Sequence, residues 1–86
     1  MVEREIKKVK KDALGNIFAI CNPGEWWSPK SIYEAIMEIE ESLYGYYILA
    51  EKQRIELNVV NDPKGKYLRT DPYKTINNNL NELPAC

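Results

Sequence analysis

The stretch after Ser28-Pro29 limits the folds open to this chain more than any other, because there the apolar residues recur at helical spacing. Ile32, Ala35, Ile36, Ile39 and Leu43 fall on one stripe of a helix, and Glu34, Glu38 and Glu41 fall on the side assigned to solvent. Ser28 is placed as the N-cap, Pro29 suits the first helical position, and Trp27 can staple onto Ile32 one turn in. Gly45 is the natural terminator. A helix with one apolar stripe must bury it against a second layer, and the rest of the chain reads as strands.

Val2, Ile6 and Val9 are separated by charged residues, and Gly15 in the turn Asp12 to Asn16 supplies the positive φ of a tight hairpin. The spacing of Ile6 and Val9 is out of period for one regular strand, so a bulge or an irregular start is expected between them. Ile17 to Cys21 reads as a strand apolar on both faces, stopped by Asn22-Pro23-Gly24. After the helix come strands at Tyr46 to Ala50 and, in strict alternation, Arg54 to Val60. Ile55, Leu57 and Val59 of the second face the core, and Arg54, Glu56 and Asn58 face water. Lys66 to Thr70 suits a short fifth strand at an edge, followed by an irregular segment over 71–86, which Leu80, Leu83 and Pro84 can pin down. The expectation is a single α+β domain over 1–86, with one helix on a mainly antiparallel sheet of four or five strands, in the order β-β-α-β-β-(β).

With 44% apolar and 29% charged residues the chain has the composition of a water-soluble globular protein. No run approaches the length of a membrane span, and Met1 to Ile6 lacks the apolar core of a secretory signal, so a cytoplasmic location is expected. Cys21 and Cys86 sit in no ligand-like spacing. In a reducing cytosol they are expected as free thiols, Cys21 buried in its strand and Cys86 terminal, with a disulfide as the alternative. Without histidine, no metal site and no cofactor are expected.

Toward the C-terminus the residues become specific. Tyr67-Leu68-Arg69-Thr70, a polar spacer, and then Asn78-Asn79-Leu80-Asn81-Glu82-Leu83-Pro84-Ala85-Cys86 resemble the signature of the DUF3892 family of small bacterial and archaeal proteins. The hairpin turn with Asp and Gly, the Trp27-Ser28 pair before the helix and the glycine after it are similar to the family's pattern too. The resemblance implies a stand-alone domain of unknown function and no particular mechanism.

Arg69, Thr70, Asp71, Asn78, Asn79 and Cys86 are the polar residues this motif gathers, and an arginine among carboxamides can hold a small anion, a carboxylate or phosphate. The alternative is that Arg69 pairs with a carboxylate and the asparagines satisfy the backbone of an irregular tail. Cys86 has no histidine to act as its base, and Glu34, Glu38 and Glu41 lie on the face assigned to solvent, so catalysis is not expected. Lys7, Lys8, Lys10 and Lys11, with Arg4 and tyrosines 46, 47 and 67, give an RNA or single-stranded DNA reading, which a net charge of −1 disfavours. One tryptophan is expected to staple the helix, and Trp26 is either a lid on the core or an exposed anchor, with the lid preferred. The leading expectation is therefore a non-catalytic protein-interaction module, able to self-associate, whose surface includes Trp26 and the region from Arg69 to Asn79.

Overall fold

The computed structural model describes residues 2–70 and 79–86. It is an α+β fold in which one helix, α1 (Ile32–Glu40), packs against strands from three small, mostly antiparallel sheets. Strands β1 (Val2–Glu5), β5 (Tyr44–Ala50) and β6 (Gln53–Glu56) form the first sheet in the order β1-β5-β6. Strands β2 (Lys8–Lys11), β3 (Ile17–Cys21) and the two-residue β4 (Lys30–Ser31) form the second, and β7 (Asn58–Asp62) with β8 (Gly65–Arg69) the third.

The broken period at Ile6 and Val9 has a different cause from the expected bulge. β1 and β2 belong to different sheets, and the chain steps between them at Ile6-Lys7, where Ile6 N–H bonds Tyr47 O at 2.8 Å and Lys7 N–H bonds Cys21 O at 2.9 Å. Both Ile6 and Val9 end up fully buried. β1 runs parallel to β5, with Val2 opposite Tyr44 and Glu5 opposite Tyr47, an exception within sheets that are otherwise antiparallel, as expected. The long strand expected at Arg54 to Val60 is likewise divided at Leu57, although Ile55, Leu57 and Val59 all join the core as their alternation requires.

The helix starts three residues later than expected. Ser31 is the N-cap: its hydroxyl oxygen accepts from Glu34 N–H at 3.1 Å, and its O–H donates to the Glu34 carboxylate at 3.1 Å, which ties the two side chains together at the helix start. Ser28 instead accepts from Asn22 N–H and fastens the loop ahead of the helix. The helix also stops before Gly45. Ser42 takes a left-handed conformation (φ 58°), Leu43 N–H reaches Glu38 O and Ser42 N–H reaches Ile39 O, a pair of bonds that closes the last turn. Leu43 is therefore half exposed rather than part of the stripe, and Gly45 lies in β5 opposite Glu3, where a Cβ would meet the Glu3 side chain at 3.4 Å.

The C-terminal segment is tied to β2. Val9 N–H bonds Pro84 O and Cys86 N–H bonds Val9 O, both at 3.0 Å, so that Ala85 sits beside Val9 as one rung of a parallel bridge. Leu80 is fully buried and Leu83 packs against the same core. Cys21 and Cys86 form a disulfide, which corrects the expectation of two free thiols. The physical reason is proximity: the backbone bonds to Val9 hold the C-terminus on β2, and Cys21 lies on the adjoining β3 with its Cα 6.5 Å from that of Cys86. No helix of the described residues is long and apolar enough to cross a membrane.

Candidate functional site

Arg4 organises the most distinctive part of the surface. It lies on the core face of β1 and is only 5% exposed, so it cannot belong to a phosphate-tracking basic run. Burying a guanidinium is costly unless its charge and donors are met, and here they are. Its Nη1 donates to Tyr46 Oη at 2.9 Å and lies 3.7 Å from Glu38 Oε1. Tyr46 O–H in turn donates to Glu38 Oε1 at 2.6 Å, and Lys30 Nζ approaches Glu38 Oε2 at 3.4 Å. Glu38 is thus buried, contrary to the solvated face expected for it. It stands three residues after Ala35, on the flank of the apolar stripe, where a carboxylate can reach a cation within the core.

Above this chain of contacts the guanidinium is surrounded by rings. Its Cζ is 3.5 Å from the centroid of Tyr44, 5.2 Å from Trp26, 5.3 Å from Trp27 and 5.8 Å from Tyr46. Trp27 is buried edge-on to Tyr46. Trp26 is 82% exposed, an exposed ring rather than the lid that was preferred for it. The turn at 22–27 holds it there through Glu25 N–H to Asn22 O, Ser28 N–H to Glu25 O and Asn22 Nδ2 to Glu5 O.

Between this turn and β1 lies an open cleft of about 520 Å³, lined on the β1 side by Glu3 and Glu5 and on the turn side by Glu25 and Trp26. Arg4 and Tyr44 form part of its floor. On the outer face of the sheet, Glu3 pairs with Arg54, which also bonds Glu56 and lies 4.1 Å from the Tyr47 ring centroid.

Burial pushes the Tyr46 hydroxyl well above its ordinary value of 10.0, and the bond it gives to the Glu38 carboxylate adds to the rise. The folded protein thus keeps a proton that the unfolded chain releases near pH 10. The resulting stabilisation is complete below that pH and is lost as pH climbs above it. Replacing Tyr46 by Phe is expected to flatten the alkaline fall in stability relative to wild type, measured by urea denaturation between about pH 9 and 11. Identical slopes for the two proteins would refute the assignment.

The residues expected to form a site do not all converge. Arg69 lies on β8 and Thr70 follows it. Both are half-buried and both are engaged by partners. Arg69 lines a second cleft, of about 370 Å³, with Asn16, Ile32 and Leu80, which shares no residue with the Trp26 cleft. Asp71 and Asn78 lie outside the described residues, and Asn79 opens a short 3-10 helix (Asn79–Glu82). Of the lysines, Lys8, Lys10 and Lys11 lie on β2 and Lys7 just ahead of it, and Lys11 Nζ donates to Asn81 O at 2.7 Å. Tyr46 is in the core, so it offers no face to a base. Sequence reasoning missed Arg4, Glu38 and Tyr44. The available signal was the broken period between Ile6 and Val9, which marks a strand change just after Arg4.

Fold and cleft together define a small α+β domain with a disulfide-closed C-terminal segment and an aromatic-arginine cluster at one sheet edge. The chain belongs to DUF3892, described as a protein of unknown function, whose family model matches residues 5–84. No curated protein and no solved structure matches the chain.

Proposed function

We propose that this protein is a non-catalytic binding module whose working surface is the cleft between β1 and the 22–27 turn. The observation that carries this reading is Trp26, a large ring presented to solvent while its position is held from below by a buried arginine. An aromatic anchor fixed before its partner arrives loses little freedom on binding, which is what makes such residues dominate interfaces. Arg4 is already committed to Tyr46 and Glu38, so it serves the site by supporting the rings rather than by reacting.

The reading is tested by placing a photo-crosslinking phenylalanine analogue at position 26, and separately at Lys64 in the β7–β8 turn, within cells of the native host. Discrete adducts are expected from position 26 and not from position 64. Equal labelling from both, or none from either, would remove the cleft as a binding surface.

A further inference from the structure

The structure points to a chemical class of partner for this cleft, an inference that rests on the binding-module reading above. Among the described residues β1 is an edge strand, paired only with β5. Parallel pairing sends alternate amides to the neighbour. Ile6 N–H bonds Tyr47 O, so the amides of Glu3 and Glu5, out of phase with it, are directed to the open side. Among the described residues that side is filled only at its far end, where Cys21 O takes Lys7 N–H and Asn22 Nδ2 caps Glu5 O. Beyond Asn22 the chain diverges into the turn, and the gap left beside Glu3 to Glu5 is the cleft.

Charge selects the occupant. Three carboxylates, Glu3, Glu5 and Glu25, line the cleft against one arginine whose charge is met by Glu38. Glu3 is paired with Arg54, and among the described residues no cation lies at ion-pair distance from Glu5 or Glu25. A nucleic-acid strand would meet these carboxylates as like charge. A second copy of this chain fares no better. Joining two β1 edges about a two-fold axis with both helices on one side sets Glu3 against Glu3 or against Glu5, and like charges directly opposite one another repel.

We propose that the open edge of β1 takes an extended peptide segment bearing lysine or arginine, added as a strand beside Glu3 to Glu5. Its cationic side chains lie on the Glu3 and Glu5 face of β1, and its alternate side chains lie on the opposite face, toward Arg4 and Trp26. Main-chain bonds to the edge supply affinity in such additions, and the alternate side chains supply specificity.

The probe is a blocked Thr-Lys-Val-Lys-Val-Thr hexapeptide titrated into isotope-labelled protein and followed by amide and indole NMR shifts. Saturable shifts are expected at Glu3, Glu5 and the Trp26 indole. They are expected to be absent with the glutamate counterpart of the peptide and with a backbone N-methylated version. The double charge reversal Glu5→Lys with Glu25→Lys is expected to weaken binding by about tenfold or more. Equal shifts from the acidic peptide, shifts confined to another face, or no shifts at all would overturn the proposal. If the peptide fails while position 26 still crosslinks in cells, the occupant is wrong and the binding surface stands. If both fail, both readings fall.

Discussion

Replacing Cys21 and Cys86 by serine, or reducing the bridge between them, is expected to lower the unfolding free energy by about 4 kcal/mol. The bridge closes a loop across a sequence separation of 65, and fixing ends that far apart removes much of the freedom of the unfolded chain. A domain of this size has only about 5–15 kcal/mol to lose, so a fall in melting temperature of roughly 20 °C is expected. Cys86 is exposed while Cys21 is buried, so reductant can reach the bond from the C-terminal side. Urea titrations with and without reductant measure the effect, and intact mass confirms the bond. A loss below about 1 kcal/mol would mean that Leu80 and the Val9 backbone bonds hold the segment without it. The same measurement bears on location. Disulfides persist where the surroundings are oxidising, so work in a reducing compartment would require that the reduced protein still fold. Trapping the thiols in the native cell decides which form operates.

How far the fold was legible follows from where local and long-range forces agree. The core positions of α1, Ala35 and Ile36, and the inward set Ile55, Leu57 and Val59 were readable because periodicity fixes a face whatever the partner. The helix start was misread because Ser28-Pro29 is a respectable local signal. The Ser31-Glu34 pair that prevailed is an equally short word, and its advantage comes from β4, which holds Lys30 and Ser31 extended against Ile20 and Ala19. Parallel pairing of β1 with β5 left no mark at all, since it joins residues more than forty apart and each strand alone reads the same in either direction. Within the site, Trp26 was legible as an aromatic beside a turn. Arg4 was not, because an arginine in a lysine-rich stretch looks solvated until Tyr44, Tyr46 and Glu38 are brought over it. The disulfide was equally hidden: two lone cysteines carry no pairing signal, and only the backbone bonds that hold the C-terminus at Val9 supply one.

Glu38→Ala is expected to destabilise the protein by about 3 kcal/mol, because it leaves the buried Arg4 without its carboxylate. The loss is larger than for an exposed pair of the same length. Little water reaches a guanidinium that is 5% exposed among four rings, so solvent compensates only weakly for the missing charge, and the Tyr46 hydroxyl loses its acceptor in the same step. Glu38→Gln keeps an oxygen for Tyr46 and removes only the charge, so it is expected to cost about half as much. The double variant Arg4→Met with Glu38→Leu separates the two contributions. It deletes both charges, and it is expected to be more stable than Glu38→Ala alone if an unpaired cation is the cause. In that variant the indole of Trp26 no longer has a guanidinium beneath it, so its fluorescence should report a more mobile, more solvated ring even though the core remains folded. Stability restored with Trp26 mobility unchanged would show that Arg4 does not position the anchor. Restored stability with a loosened Trp26 would assign the buried charge to the cleft, since apolar residues can fill the core but cannot hold the ring that faces out of it.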